Sequence, residues 1–176
     1  MVPEAPLEKT DHGLRPAGEG WFVLNVRDAP WFESDEMGAY GVFESEDARF
    51  DQVGIGIGIL YPGQPNGMYH GEDAQEDFLV LSGECLLLVE GEERRLRAWD
   101  FVHCPPWTEH IFVGAGEGPC VVLAVGARRK GRGIRYPVSE LALRHRAGVE
   151  VETTDPKEAY AWFSGDRSIG CPGDLP

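Results

Sequence analysis

Two histidines and two glutamates in this chain are spaced so that they could share one metal ion. His70 and Glu72 lie two residues apart, so on a strand both project from one face. Glu76 follows a short turn later, in phase with Phe78 and Val80. His110 comes just after Pro105-Pro106, at the start of another apolar run. Imidazole nitrogens and carboxylate oxygens together suit first-row divalent ions. Zn, Mn, Fe and Ni are the candidates, and the carboxylates lean toward harder ions such as Mn or Fe(II). Donor type alone does not select among them.

The other residues with chemical potential carry less signal. His103, in Phe101-Val102-His103-Cys104, either lines a cavity as a proton relay or is a satisfied strand histidine. Glu109 should face away from its neighbour His110. Tyr61 and Tyr69 flank the His70 segment and either contact a substrate or pack. His12 and His145 sit in polar contexts. No G-x-S-x-G nucleophile motif is present. Cys104 beside His103 is not a Cys/His pair, because strand neighbours point to opposite faces.

The elements that must position these residues read as strands. Val53 to Leu60 alternates strictly, with isoleucines on one face and glycines on the other, as period 2 requires. The glycines lack G-x-G-x-x-G spacing and no helix pattern follows, so this is a strand whose bare face lets a backbone or a ligand come close. Between 66 and 127, apolar runs of strand length follow one another: Phe78–Leu81, Cys85–Val89, Phe101–Cys104, His110–Val113 and Cys120–Val125. Ser82-Gly83-Glu84, Glu90-Gly91-Glu92 and the glycine-rich 114–118 separate them as turns. Short strands at close spacing predict an all-β antiparallel sandwich or barrel and exclude a parallel α/β sheet here. Trp21–Val26 reads as a strand, and 28–37 as loop with Trp31 and Phe32 as anchors. Helix signals appear only late: Ser139 caps a short helix ending near Gly148, and Thr154-Asp155-Pro156 starts another running toward Trp162. Residues 164–176 read as irregular.

The spacing His70-x-Glu72-x3-Glu76-x6-Gly83 resembles the first motif of the cupin superfamily, H-x-H-x3–4-E-x6-G, and Pro105-x-Trp107-x2-His110 resembles the second, P-x-G-x2-H. Asp100 stands where that family has the Asp of a Gly-Asp pair. The resemblance covers residues 63–126. It implies an antiparallel jelly-roll β-barrel with a metal at its centre, held by His70, Glu72, Glu76 and His110, and a homodimer, as many cupins are. The chain as a whole divides into a loose N-terminal arm (1–20), rich in Pro, Gly and charge, a barrel (21–136) and a C-terminal extension with short helices (137–176). Three departures stand out. Glu72 replaces the usual second histidine, which keeps a donor and adds a negative charge. Trp99 and Trp107 replace motif glycines, so the loop before His110 is expected to change shape and to border the pocket mouth. Gly114 replaces the asparagine of the second motif.

Composition bounds the rest. The chain has 176 residues, a size for one domain with short extensions, and a net charge of −14. A surface that acidic repels phosphate backbones and anionic lipid. The exception is Arg128, Arg129, Lys130, Arg132 and Arg135, read as a solvated, glycine-broken connector. No partner nucleic acid or membrane is expected. No apolar run long enough to span a bilayer and no secretory leader are seen, so a cytoplasmic location is expected. Cys85, Cys104, Cys120 and Cys171 form no C-x-x-C pair and read as free thiols. Two function classes follow from the resemblance. The first is a metalloenzyme of dioxygenase, decarboxylase, isomerase or epimerase type acting on a small organic substrate. The second is a non-catalytic module that binds a sugar or other small molecule. A third, structural role would place Trp21, Phe22, Trp31 and Phe32 across a dimer interface.

Overall fold

The computed structural model describes residues 1–173 and 175; Asp174 and Pro176, within the stretch read as irregular, lie outside the described residues. The chain runs as β1 (Leu7–Thr10), β2 (Gly13–Pro16), β3 (Trp31–Ser34), β4 (Gly38–Val42), β5 (Val53–Leu60), β6 (Gly71–Glu72), β7 (Glu76–Ser82), β8 (Glu84–Val89), β9 (Glu92–Arg97), β10 (Phe101–Cys104), β11 (His110–Ala115), β12 (Cys120–Ala127), β13 (Ile134–Arg135), α1 (Glu140–Arg144), α2 (Pro156–Ala159) and β14 (Arg167–Ile169). A 3-10 turn spans Val26–Asp28.

Two antiparallel sheets carry the fold. The larger has the order β10-β7-β12-β5-β4-β3-β14, and the smaller the order β11-β8-β9. They face each other across a core of Leu60, Phe78, Val80 and Val122 from the larger sheet and Cys85, Leu87 and Phe112 from the smaller. Deletion of a side chain as buried as Phe112 costs about 3–5 kcal/mol in such a core. The opposite face of the larger sheet holds a second cluster, Trp31, Ala39, Ile57, Ile59, Val121 and Leu175. The strict alternation of β5 therefore has a use. Its isoleucines Ile57 and Ile59 enter the second cluster, and Gly56 and Gly58 face the space between the sheets, where they line a cavity of about 330 Å³ with Phe78, Val122 and Ala124.

Three segments differ from the sequence expectation. Trp21 makes only an isolated bridge to Glu4, and the following stretch holds the 3-10 turn rather than a strand. Trp31–Ser34 is a strand, not a loop; Trp31 is wholly buried in its own chain, with its indole N–H donating to the Val26 carbonyl at 2.9 Å, so it is unavailable to a dimer contact. Residues 167–169 pair with β3 and extend the larger sheet. Residues 167–169 depend on a partner more than 130 positions earlier in the chain, which local patterning does not reveal, whereas β3 pairs locally with the glycine-rich β4. The N-terminal residues 7–16 form a hairpin, β1 with β2. The C-terminal helices start where expected: Ser139 Oγ accepts from Ala142 N–H, and Asp155 Oδ1 accepts from Lys157 N–H ahead of Pro156. Among the described residues no helix is long and apolar enough to cross a membrane.

Candidate metal centre

His70 and His110 are brought together by reciprocal backbone bonds. His70 N–H donates to the His110 carbonyl at 3.2 Å, and His110 N–H donates to the His70 carbonyl at 2.9 Å. The two rings lie with centroids 5.2 Å apart. Glu76, the first residue of β7, comes in from the larger sheet, where Gly126 and Cys104 are its neighbours in register. Gly126 leaves room beside it: a Cβ there would stand 3.7 Å from the Glu76 carboxylate.

Each imidazole is held by its Nδ1 atom. His70 Nδ1 lies 2.9 Å from the Met68 carbonyl and His110 Nδ1 lies 3.0 Å from the Thr108 carbonyl. A carbonyl only accepts, so both Nδ1 atoms carry protons and both Nε2 atoms are free to offer a lone pair. These Nε2 atoms face Glu76 Oε2 at 3.7 Å from His70 and 3.5 Å from His110. Both distances are too long for a good hydrogen bond. Glu76 Oε2 is buried and has no hydrogen-bond partner, a costly state for a carboxylate oxygen. One donor atom from each of His70, Glu76 and His110 falls within 4.8 Å of the others. Ligands of an ion with bonds of about 2.1 Å stand roughly 3–3.5 Å apart, so the three donors fit a shared divalent cation. The orphaned oxygen is the atom such an ion would satisfy.

The charges around the trio are unequal. Burial works to lower the pKa of His70, but Glu76 and the Met68 carbonyl outweigh it, and the net shift is upward. Burial would raise that of Glu76, but the two imidazoles and Arg132 hold it below the usual carboxylate range. His110 is lowered, by burial first and by His70 beside it. Without an ion, a proton thus favours His70, and an ion must displace it.

Glu72 behaves differently from its sequence expectation. It is buried, on the same side of the fold as the trio, but it is not among the three converging donors. Its Oε1 accepts from Arg132 Nη1 at 3.0 Å. Burial and the charge of Glu76 raise its pKa, and Arg132 offsets them only in part. The spacing that put Glu72 on the face of His70 could not show that a guanidinium sixty positions later reaches it. His103 does not line the cavity either: its ring is half exposed and bonds Asp77 Oδ1 at 2.6 Å. Glu109 faces away from His110, as expected, and pairs with Arg135. The connector arginines are individually matched to acids, Arg128 to Glu44, Arg129 to Asp73 and Arg132 to Glu72. Tyr69 is packed in the core, and its hydroxyl accepts from Gly91 N–H at 3.3 Å. The loop before His110 keeps the shape a glycine would give it, with Trp107 at φ 71°, and the turn between β9 and β10 does the same, with Trp99 at φ 75°. Trp107 N–H donates to the Glu72 carbonyl at 2.7 Å, which ties that loop to β6.

Two residues near the trio carried no sequence signal. Arg132 was one cation in a basic run. Tyr136 stood outside both motifs, yet its ring lies 6.0 Å from that of His70 and is buried. The pairing of β13 with β6 brings both in.

Residues 56–126 match the sequence profile of the cupin domain. The chain carries a cupin domain. Its fold agrees with solved cupin-type structures. A sugar phosphate isomerase of the cupin superfamily from Silicibacter pomeroyi is 19% identical, with TM-score 0.54, covering 64% of this chain and 79% of that one. The polyketide cyclase RemF from Streptomyces resistomycificus is 15% identical, with TM-score 0.55, covering 81% and 93%. A protein of Acidithiobacillus ferrooxidans proposed to be a sugar phosphate isomerase is 27% identical, with TM-score 0.46, over 47% of this chain; the match spans about half of that protein, 55%. No curated protein matches the chain in sequence. His70, Glu76 and His110 all fall between residues 56 and 126, within the matched stretch.

Proposed function

We propose that this cupin is a metalloenzyme that binds one divalent ion through His70, Glu76 and His110 and acts on a small organic substrate. The observation that carries the reading is the convergence of two Nε2 lone pairs on a buried Glu76 oxygen that has no other partner. Two histidines and one carboxylate form the donor set of open non-haem Fe(II) sites and of catalytic zinc sites. We favour Fe(II) or Mn on the hardness of the carboxylate, with Zn and Ni as the competing ions.

Three protein donors leave coordination positions open for substrate, unlike a closed structural site. When bound, such an ion supplies Lewis acidity toward a carbonyl or enediol oxygen, or activates water or O2. The chain supplies the rest. The Met68 and Thr108 carbonyls fix the tautomers and orientations of the imidazoles. Phe78, with its ring 5.3 Å from His110, and Phe112 keep one side of the site apolar. The cavity beside Phe78 suits a small organic molecule in size. The differing names of the fold's relatives agree with the rule that this barrel does not by itself select a reaction.

Metal analysis of the purified chain tests the proposal. About one ion per chain is expected, retained through dialysis and lost in His110→Ala. A chain that is metal-free and takes up none of Mn, Fe(II), Ni or Zn overturns it. A non-catalytic binding cupin would instead show saturable stabilisation by its ligand, unchanged when metal is stripped.

A further inference from the structure

Beside His70 the site is bordered by an arginine and a tyrosine from one segment, and these two restrict what can bind there. β13 pairs antiparallel with β6, with Ile134 opposite Glu72 and Arg135 opposite Gly71. Asp73 N–H donates to the Gly133 carbonyl at 2.9 Å and extends this contact. Ile134 and Tyr136 share a face of this segment, and Arg132, just before β13, reaches Glu72. The pairing therefore delivers Tyr136 beside His70 and Arg132 beside Glu72.

Both groups have unused capacity. A guanidinium carries five N–H donors, and one of those on Arg132 is used, toward Glu72. The arginine side chain is 41% exposed while its partner Glu72 is 4% exposed, so Glu72 anchors it from below and leaves its outer donors open. Tyr136 makes no hydrogen bond through its hydroxyl among the described residues, although the residue is only 3% exposed. The Tyr136 hydroxyl is not among the buried orphaned polar atoms, so its oxygen reaches open space beside His70, where a ligand can accept from it.

We propose that Arg132 and Tyr136 form an anchoring wall that takes a carboxylate group of the substrate. The inference rests on the metal-site reading and specifies the substrate class for that site. Charge selects carboxylate over phosphate. The Glu72–Arg132 pair is neutral and Glu76 is a single negative charge, so a divalent ion leaves the site with one positive charge. A monoanion balances that charge; a phosphate dianion overshoots it. The planar fork of arginine also matches a carboxylate in geometry. The substrate is thus a small carboxylic acid bearing a second oxygen within reach of the trio, such as a 2-hydroxy or 2-oxo acid.

The test uses the full chain, with its ion and after chelation, and titrates it calorimetrically with glycolate, its neutral isostere glycolamide, and inorganic phosphate. Glycolate is expected to bind the ion-loaded chain at least tenfold more tightly than glycolamide. In Arg132→Gln that preference should fall by about tenfold, the effect of losing a charge-assisted hydrogen bond, with metal content unchanged. Arg132→Lys should retain an intermediate preference, and Tyr136→Phe should weaken glycolate roughly three- to tenfold. If Arg132→Gln keeps its ion and its full preference, the ion alone makes the distinction and the proposal is overturned. Phosphate binding as tightly as glycolate, with the same dependence on Arg132, also overturns it. A chain that never holds metal would defeat the metal reading, yet an Arg132-dependent preference for glycolate in the ion-free chain would still support the wall; its absence there would overturn both.

Discussion

Two glycines in the barrel make opposite demands on a side chain, and substituting them tests the packing directly. Gly114 sits in β11 where a Cβ would overlap the Tyr61 carbonyl oxygen. The same residue accepts from Gly63 N–H and donates to the Gln64 carbonyl, both at 2.8 Å. Alanine at 114 must push this loop away. Losing two hydrogen bonds at about 1 kcal/mol each, plus about 1–3 kcal/mol of overpacking, gives a cost of about 3–5 kcal/mol. Gly56 in β5 is the reverse case. A Cβ there meets nothing within 4 Å and the backbone is not in the left-handed region. Valine at 56 enters the cavity between the sheets, suits a strand, and removes the entropic cost of glycine, so it should stabilise by roughly 0.5–1 kcal/mol. Its three carbons, at about 30 Å³ each by comparison with water, would take about a quarter of the 330 Å³ cavity. Reversible urea unfolding followed by tryptophan fluorescence reads both, with the buried Trp31 as a reporter. At roughly 2–4 °C per kcal/mol for a chain of this size, Gly114→Ala should melt about 6–20 °C low and Gly56→Val a few degrees high. A Gly56→Val protein that loses more than about 1 kcal/mol would refute the open space, and a Gly114→Ala protein as stable as wild type would refute the close approach.

Three further outcomes follow from the structure. Saturating metal at a hundred times its dissociation constant should stabilise the chain by about 2.7 kcal/mol, and His110→Ala should abolish that gain in a melting experiment; an equal gain in both would place the ion elsewhere. Tyr40 is held up to about 12 by burial and by its hydrogen bond to Asp166. Because its folded pKa exceeds the unfolded value of about 10, stability should be intact below pH 10 and decline as pH rises toward 12, and Tyr40→Phe should flatten that part of the stability profile. Trp99 is 75% exposed with φ 75°, so Trp99→Gly should relieve left-handed strain and stabilise by about 1 kcal/mol; a loss of stability would mean the indole packs on something that matters more than the strain.

Much of the barrel was legible from residue patterns because local signals there agree with tertiary packing. The strands of 76–127 lie where apolar runs between glycine turns put them, and the alternation of β5 sorted its two faces correctly. β9 and β4 escaped notice for a physical reason: the first is an edge strand of mostly charged residues, and the second is a short glycine-rich strand whose partners supply its order. At the site, spacing placed His70, Glu76 and His110 near one another because all three sit on or beside strands that share the barrel interior. Spacing could not fix where the Glu72 carboxylate points. That depends on Arg132, which β13 delivers from beyond the second motif. Trp107 is instructive in the same way. Its bulk suggested a reshaped loop, but the backbone kept its glycine-like turn, which shows that the fold constrains φ here more strongly than the side chain does.

The cavity has one wall that is made late. Tyr160, Phe163 and Asp166 border it together with Tyr40 and Gly58, and Tyr40 bonds Asp166 across 126 positions of chain. During synthesis the three converging donors are all complete by residue 110, some fifty residues before this wall emerges. The wall of the apolar cavity is therefore completed after every residue of the trio and after the sheet strands that carry the cavity's other lining, so a C-terminal truncation before residue 160 would open the cavity while leaving the trio's own residues in the chain.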